Sequence, residues 1–341
     1  MRRARSTAVL LVAALLVGTL ALLAATGHDV GQAMSALVNG SVGSWYALGS
    51  GTLVRATPLM LTGLAVAIAF RAGVFNIGAE GQFVVGAAAA AAVGLSIGEV
   101  SRWLAVPIVL LSGLLAGAIW ASIAGFLRLR FHVLEVISTI MLNFVALYLV
   151  SYLVRGPLQE PTHVYPQTSS LSSAAQLPRL GPTTRLHLGF AIAVVACLAT
   201  WWVLRNTAGG FRLRAVGANV FAARSAGQID TARVTMRAFL VSGALAGLAG
   251  AVEVSGITFA LYENISPGYG YTAIAVALLA RLDPAAVLAT GVLFGALESG
   301  AAAMQRDAGV PSVVVAVVEA GIILALVALE RVRFTPSAAT A

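Results

Sequence analysis

The chain has 341 residues, of which 59% are hydrophobic and only 10% are charged, and its mean hydropathy is +0.93. A soluble domain of this length exposes far more charge, so the composition excludes a soluble globular protein and indicates a polytopic membrane protein. The net charge of +8 comes from arginines that cluster at the ends of apolar runs. That placement is typical of loop anchors at a membrane surface and argues against nucleic-acid binding.

The residue types that the chain lacks exclude several kinds of chemistry. All 21 basic residues are arginines, so there is neither the lysine of a P-loop nor a lysine that could form a Schiff base. The single cysteine, Cys197, excludes an internal disulfide and a cysteine metal cluster, and the four histidines show no metal-ligand spacing. We therefore predict no catalytic residue, no metal site and no cofactor bound by this chain.

The first apolar run begins after Arg2, Arg3 and Arg5 and continues for about 20 residues, the length of a bilayer span rather than of a signal-peptide core. Comparable runs predict further membrane-spanning helices, and the full set is 7–27, 52–70, 83–97, 104–127, 133–154, 187–204, 236–256 and 310–329. The predicted fold is all-α, with about ten transmembrane or re-entrant helical segments in one domain over residues 1–341. Arginines mark alternate run ends, so we assign those ends and both termini to the cytoplasm.

A polar segment interrupts the apolar pattern between the second and third spans, where residues 70–82 read FRAGVFNIGAEGQ. Polar groups survive there only against protein or a watery cavity. Asn76 and Glu80 are four residues apart and would share one face of a helix. We interpret Asn76, Glu80 and Gln82 as a polar lining of a transport pathway. The alternative is a structural network in which Glu80 pairs with Arg71 or caps a neighbouring helix.

The fifth span carries Asn143, which could hydrogen-bond a substrate or could equally make an interhelical hydrogen bond. Tyr148 is five residues further on and lies on a different side of the helix. After this span, residues 155–186 are rich in Pro, Ser and Thr, which is typical of a loop shaped by turns. The arginine pattern makes this an extracytoplasmic loop.

The loop 205–237 contains six arginines and one acid, Asp230, which is typical of a cytoplasmic loop. It is too long to be a simple connector. Within it the stretch GANVFAARSAGQI predicts a short helix bounded by Gly217 and Gly227.

A second broken polar segment, ENISPGYGYTA at 263–273, leads into a short apolar run. Broken segments in corresponding positions of two halves indicate a binding region near the membrane midplane. The region 271–303 is interrupted at Asp283-Pro284, and it is either a re-entrant hairpin or two unequal spans. Packing or pairing explains the remaining acids inside apolar runs better than substrate contact does; these are Glu253, Glu298 and Glu319.

Three pieces of the sequence together resemble one family, the permease subunits of ABC importers for branched-chain amino acids, simple sugars and nucleosides. The pieces are FNIGAEGQ at 75–82, ISTIMLNFVALYLVSYLVRGPL at 137–158 and RLRAVGANVFAARSAGQIDTARVTMRAFLVSGALAGLAGA at 212–251. The resemblance runs over nearly the whole chain, and the first two pieces are most similar to the nucleoside permeases.

The resemblance implies a multi-pass plasma-membrane transport subunit rather than an enzyme, in contact with membrane lipid and a small-molecule substrate. Its implied partners are a second related permease, a cytoplasmic ABC ATPase that binds ATP and Mg, and an extracellular substrate-binding lipoprotein. The family places its coupling helix before GALAGLAGA, so the expected ATPase-coupling residues are Gly217, Asn219, Ala222, Ala223, Arg224 and Gly227. The family commonly has Asn-Pro where this chain has Asn219-Val220.

Two other functions stay open from the sequence. A simple sugar is the alternative cargo. A proton-coupled secondary transporter is the alternative class, in which Glu80, Glu253 and Glu298 would relay protons. A requirement of uptake for ATP separates the two classes. A membrane enzyme has less support, because no nucleophile–base pair is visible.

Overall fold

The computed structural model describes residues 27–98, 100–227 and 229–311, together with scattered residues between 17 and 25 and between 313 and 324. The expected first and last spans, 7–27 and 310–329, fall largely outside the continuous ranges, and Glu319 is not among the described residues. These two spans, the side of both termini and the total of about ten segments therefore stay predictions.

Every regular element in the described ranges is a helix, as the composition indicates. The helices are α1 (Val30–Val42), α2 (Leu53–Arg71), α3 (Ala79–Ser96), α4 (Arg102–Phe131), α5 (Glu135–Arg155), α6 (Leu188–Asn206), α7 (Ala208–Ala218), α8 (Val220–Gly227), α9 (Thr231–Glu253), α10 (Tyr269–Leu279) and α11 (Pro284–Asp307). A turn of π-helix precedes α2 at Ala47–Thr52, and another follows α9 at Val254–Thr258.

Seven helical stretches of the described chain are long and apolar enough to cross a bilayer. The seventh of these is α11, which begins after the Asp283-Pro284 break in the region 271–303. The other six confirm the sequence-based spans at 52–70, 83–97, 104–127, 133–154, 187–204 and 236–256.

The region 271–303 forms two helices of unequal length. Helix α10 has 11 residues and is about 16 Å long, whereas α11 has 24 residues and is about 36 Å long. The hydrocarbon core of a bilayer is about 30 Å thick, so α11 can cross it and α10 cannot. Asp283 accepts a hydrogen bond from the Ala285 N–H at 2.9 Å, which fixes the start of α11 after the break.

The structure corrects the expected shape of the arginine-rich loop. The loop forms two helices rather than one, because Asn219 has extended backbone (φ −161°, ψ 109°) and separates α7 from α8. Gly217 therefore lies in the last turn of α7 instead of preceding the short helix, while Gly227 ends α8 as expected. Helix α1 is also absent from the sequence-based assignment; Asp29 caps its N-terminus by accepting from the Gln32 N–H at 3.0 Å.

The described residues form two compact units, one made of those up to Arg55 together with those from Leu293 onward, and the other made of Ala56–Val292. In the first unit, α1 packs closely on the α11 residues of that unit. A Cβ added to Gly40 would lie only 2.1 Å from the Ala303 Cβ, so the two helices approach at a position that only glycine allows.

In the second unit, α3, α4 and α9 cross one another through glycines. A Cβ on Gly86 would lie 2.4 Å from the Gly247 Cα, and one on Gly247 would lie 2.2 Å from the Gly113 carbonyl oxygen. Gly243 approaches the Gly117 carbonyl oxygen in the same way, at 2.3 Å. Small residues at a helix crossing let backbones approach closely, which is how helices pack where lipid provides no hydrophobic driving force.

Helices α5 and α6 lie at the periphery of the second unit. Only 28% of the apolar membrane-length stretch of α5 and 22% of that of α6 are buried within the chain. For α9 with the π-helical turn that follows it, the buried share is 72%. Apolar faces of this extent are covered by lipid or by another membrane subunit.

Candidate functional site

The chain between α2 and α3 leaves the helical conformation completely. Gly73 adopts φ 72°, and the Val74 N–H donates to the Ala69 carbonyl at 3.0 Å, which closes α2. The four residues after Gly73 have no regular structure. Asn76 therefore precedes α3, and it does not share a helix face with Glu80.

The Asn76 side chain is fully buried and makes every hydrogen bond of which it is capable. Its Oδ1 accepts from the Gly78 N–H at 2.9 Å and from Gln82 Nε2 at 3.1 Å. Its Nδ2 donates to Gln82 Oε1 at 3.1 Å and to Ser242 Oγ on α9 at 2.9 Å. Two lone pairs and two N–H groups are the full capacity of an amide. Asn76 and Gln82 thus hold the turn before α3 against α9.

The Asn143 side chain also holds the turn before α3, and it does so from α5. Its Oδ1 accepts from the Gly81 N–H at 2.8 Å, and its Nδ2 donates to the Ile77 carbonyl at 3.0 Å. Thr139 Oγ1 accepts from the Ile77 N–H at 3.3 Å. Backbone groups at a helix break must find partners inside a membrane. The structure therefore shows the interhelical hydrogen bond that was one of the two alternatives for Asn143.

Glu80 lies where the N-termini of α3 and α10 meet. It is 3% exposed, and its Oε2 accepts from the Gly270 N–H at 2.7 Å. A Cβ on Gly270 would lie 2.2 Å from the Glu80 backbone nitrogen, so the two helix starts are in backbone contact. Of the two structural contacts expected for Glu80, the cap of a neighbouring helix is present, on α10. The pair with Arg71 is absent, because Arg71 Nη1 donates to the Leu282 carbonyl at 2.9 Å. The two broken segments that the sequence singles out are thus joined at this point.

The second broken segment is fixed at both ends. Ser266 Oγ accepts from the Tyr269 N–H at 3.1 Å at the start of α10. Arg155 Nη2 pairs with Glu263 Oε2 at 2.7 Å, and this hydrogen bond holds the pKa of the Glu263 carboxyl below its usual range. Among the residues that the structure describes, this segment included, no group of three or more His, Cys, Asp or Glu side chains could hold a metal ion.

Asn219 organises the arginine-rich loop. Its backbone N–H donates to the Ala215 carbonyl at 3.1 Å, which ends α7. Its Oδ1 accepts from the Ala222 N–H at 3.0 Å, which caps α8. The asparagine alone therefore provides a defined helix start where the family commonly has Asn-Pro.

The residues of α8 divide into a buried and an exposed side. Ala223 is 6% exposed and packs with Val216 of α7 and Val234 of α9. Phe221 is 83% exposed, and Ala222 and Arg224 are exposed beside it. A partner that docks on α8 would therefore meet Phe221 and Ala222, whereas Ala223 faces the chain itself.

Gly217 connects the arginine-rich loop to the polar segment. A Cβ on Gly217 would lie 2.0 Å from the Arg71 carbonyl oxygen, and one on Gly73 would lie 3.5 Å from the Gly217 Cα. The end of α7 thus rests directly on the end of α2. A displacement of α7 and α8 would press on the turn that leads to Asn76.

The family model described as "Branched-chain amino acid transport system / permease component" matches residues 48–327, which is most of the chain. The chain belongs to this permease family. Membership agrees with the seven membrane-length helices of the described part, and the permease is a multi-pass plasma-membrane transport protein. No solved structure was found that matches the permease.

Three relatives share a third or more of their aligned residues with the permease. The guanosine ABC transporter permease protein NupP of Bacillus subtilis is 40% identical over 91% of this chain and 89% of its own length. The glucose ABC transporter permease protein TsgB13 of Haloferax volcanii is 41% identical over 82% of this chain and 75% of its own length. The nucleoside ABC transporter permease protein NupB of Lactococcus lactis is 34% identical over 83% and 79%.

Two exposed aromatic residues of the permease were not singled out from the sequence. Tyr271 is 43% exposed, and Asn143 Nδ2 donates to its hydroxyl at 3.4 Å, so it borders the buried polar cluster. Phe221 is the large exposed side chain on α8. The sequence gives no signal that separates Tyr271 from its neighbour Tyr269, which is buried against Phe83.

Proposed function

We propose that the permease is the membrane subunit of an ATP-driven importer whose cargo is a nucleoside. The observation that carries this proposal is the 40% identity, over 91% of the chain, to a permease named for guanosine. A second relative is named for nucleosides. The relative named for glucose has 41% identity but covers 82% of this chain, and it makes a simple sugar the second candidate.

The cargo is tested by uptake of radiolabelled guanosine into cells that carry the complete transporter. We expect unlabelled uridine and adenosine to compete and glucose to have no effect. Calorimetric binding of the same compounds to the cognate extracellular lipoprotein gives an independent measurement. No uptake of guanosine by cells that do take up labelled glucose through the same transporter would replace the nucleoside by a sugar.

Energy for transport comes, in this proposal, from a partner ATPase that binds ATP and Mg. The chain has no lysine and so has no P-loop of its own. The α7–α8 loop provides a mechanical link, because Gly217 rests on the end of α2. In proteoliposomes that contain the whole complex, uptake should require ATP and survive a protonophore. Uptake that collapses with the protonophore and ignores ATP would favour the proton-coupled alternative.

The substrate pathway passes, in this proposal, along the junction of α3 and α10. Two helix N-termini meet there among membrane-length helices, and such discontinuous helices form binding regions in many transporters. Asn76, Glu80, Gln82 and Asn143 are buried, so a substrate reaches them only when the contact between α3 and α10 opens. Tyr271 is the exposed group at its edge, and its ring and hydroxyl suit a nucleobase or ribose.

A second related permease and an extracellular lipoprotein complete the proposed complex. The apolar faces of α5 and α6 leave room for a membrane partner. Co-expression of the permease with its candidate partners, followed by affinity purification through a tag on the permease, should recover a second permease and the ATPase together. Recovery of the permease alone, in several mild detergents, would contradict this assembly.

A further inference from the structure

A cavity of about 210 Å³ lies where α2, α6 and α11 end or begin beside α7. Its walls are formed by three arginines, one acid and apolar groups: Arg71, Arg205, Arg214, Asp283, Trp201, Leu204 and Pro284. All of these residues belong to the unit Ala56–Val292. The cavity is separate from the buried polar cluster and from the exposed side of α8.

The cavity carries an excess of positive charge that its own acid does not neutralise. Arg205 approaches Asp283 at 3.5 Å and lies over the Trp201 ring at 4.7 Å. Asp283 is also used to cap α11 through Ala285. Arg71 donates one N–H to the Leu282 carbonyl and keeps its remaining donors.

Arg214 is the arginine of this cavity for which the described part of the chain offers no partner. In the described part of the chain its guanidinium makes no hydrogen bond and no ion pair, although it lines the cavity and is half-buried. Three guanidinium groups with unused donors around one cavity favour a ligand with several anionic oxygens, because arginine forms paired hydrogen bonds with phosphate and carboxylate.

The cavity lies at a membrane boundary. Arg71 is the last residue of one membrane-length helix, Arg205 is next to the last residue of another, and Pro284 begins a third. Trp201 and Trp202 are one turn before the end of α6, a position typical of aromatic residues at the headgroup level. The apolar face of α6 is largely exposed, so a lipid can reach the cavity from the bilayer.

We propose that this cavity binds the phosphate headgroup of an anionic phospholipid. The arginine distribution assigns this boundary to the cytoplasm, where anionic lipids give the membrane surface its negative potential. Basic pockets between membrane helices on that side are suited to such headgroups. The bound lipid would hold α7 against α2 and α6, and it would thereby steady the loop that carries α8.

The test uses native mass spectrometry of the full-length permease in non-ionic detergent, mixed with equal amounts of phosphatidylglycerol and phosphatidylcholine. Wild type should retain phosphatidylglycerol preferentially. Arg214→Gln should retain about five-fold less of it, the scale of one basic residue near an anionic surface. Arg214→Lys keeps the charge and should restore most of the retention.

Arg212→Gln is the matched control, because it removes the same charge from the same exposed helix but does not line the cavity. It should retain phosphatidylglycerol as wild type does. Equal losses in Arg212→Gln and Arg214→Gln, or no preference in wild type, would overturn the site. The unfolding temperature of the permease, measured with phosphatidylglycerol and with inorganic phosphate, distinguishes a lipid headgroup from free phosphate. Stabilisation by inorganic phosphate to the same extent as by the lipid would overturn the lipid assignment.

The ATPase is the other partner that could reach these arginines, and co-purification separates it from the lipid. If Arg214→Gln loses the ATPase while its lipid retention stays at the wild-type level, the arginines serve protein docking and the lipid site is overturned. Loss of lipid with the ATPase retained supports the proposal.

Discussion

The buried carboxylate of Glu80 is held by the Gly270 N–H and by the Ser266 side chain, and it makes no ion pair with an arginine of the described chain. It lies in the first turn of α3 and accepts from the first turn of α10, so the positive ends of two helix dipoles face it. Each such interaction is worth about 0.3 to 2 kcal/mol. The Glu80 side chain therefore bridges the starts of α3 and α10, which is the contact that must open if the substrate pathway passes there.

Replacing Glu80 by Gln tests this function of the charge. Glutamine keeps an oxygen that can accept from the Gly270 N–H, but it cannot carry the negative charge and replaces the second carboxylate oxygen by an NH₂ group that cannot accept from the Ser266 hydroxyl. We expect uptake to fall by about ten-fold, which corresponds to about 1.4 kcal/mol in a rate, while the amount of folded permease stays near wild type. Labelled uptake and fluorescence-detected size exclusion give the two quantities. Equal losses of both would assign Glu80 to the fold alone.

Replacing Asn143 by Ala should instead act on folding. The change leaves the Gly81 N–H and the Ile77 carbonyl buried without their partner, at a cost of about 1–3 kcal/mol for each group. We expect a clear loss of folded permease and a lower unfolding temperature in detergent. Phe144→Ala, an exposed neighbour on the same helix, is the control. If Asn143→Ala folded normally but lost uptake, the result would contradict this structural role and support direct contact of Asn143 with the substrate.

The sequence identified the residues of the polar cluster but not their partners. Asn76, Gln82 and Asn143 stand out because polar groups are costly between apolar runs. Their hydrogen bonds depend on where Gly73 ends α2 and on which side of α5 faces α3, and neither is encoded in local spacing. Ala223 is a similar case, since nothing in the sequence separates the buried alanine of α8 from the exposed Ala222.

At the scale of elements, the crossing of α4 and α9 depends on glycine. A Cβ at Gly247 would lie 2.2 Å from the Gly113 carbonyl oxygen, a distance at which the backbone must move. Overpacking of this kind costs about 1–3 kcal/mol. We expect Gly247→Ala to lower the unfolding temperature and the yield of folded permease. Gly209→Ala on α7 is the control, because its nearest atom outside the helix is 3.7 Å away; equal behaviour of both variants would contradict the close crossing.

Helix α8 should dock on the ATPase through its exposed side. Phe221→Ala and Ala222→Asp should reduce the ATPase recovered with the permease and reduce uptake, because a docked aromatic is a common anchor and a buried unpaired carboxylate is costly. The isolated permease should fold normally in both. Ala223→Asp should differ, since it places a charge among Val216 and Val234 and should destabilise the permease itself.

The discriminating measurement for α8 is the ratio of co-purified ATPase to folded permease. Wild-type ratios and wild-type uptake for both Phe221→Ala and Ala222→Asp would remove α8 as the coupling element. A normal fold for Ala223→Asp would contradict its burial.

The membrane-length helices were readable from the sequence, and so were the short helices α8 and α10, whereas α1 and α7 were not. Apolar runs of about 20 residues have one explanation in a membrane protein, so six spans were placed within a few residues of their bounds. Helix α1 has a polar residue in every turn, and α7 contains three glycines and two arginines, so neither produces an apolar run. The break at Asp283-Pro284 was visible, but the pattern could not show that α10 starts against Glu80.

At the scale of the whole molecule, contacts within the unit Ala56–Val292 place several segments on one membrane side. Arg155 at the end of α5 pairs with Glu263 after α9. Arg102 at the start of α4 donates to the Ser173 carbonyl at 3.0 Å. The 155–186 loop therefore lies on the same side as these helix ends. The arginine-rich ends of α4 and α6 lie on the opposite side, which the positive-inside rule assigns to the cytoplasm.

Cysteine labelling decides this orientation with two matched positions. Ser170 is exposed in the 155–186 loop and Ser225 is exposed on α8, whereas the native Cys197 is fully buried and leaves wild type as the unlabelled blank. A membrane-impermeant maleimide should label the Ser170→Cys variant in intact cells, and it should label the Ser225→Cys variant only after the membrane is opened, because a charged reagent cannot cross the hydrocarbon core. The reverse pattern would invert the topology. It would also place α8 outside the cell, where no cytoplasmic ATPase can reach it. The side of the membrane on which positions 170 and 225 lie therefore decides whether the proposed coupling is possible at all.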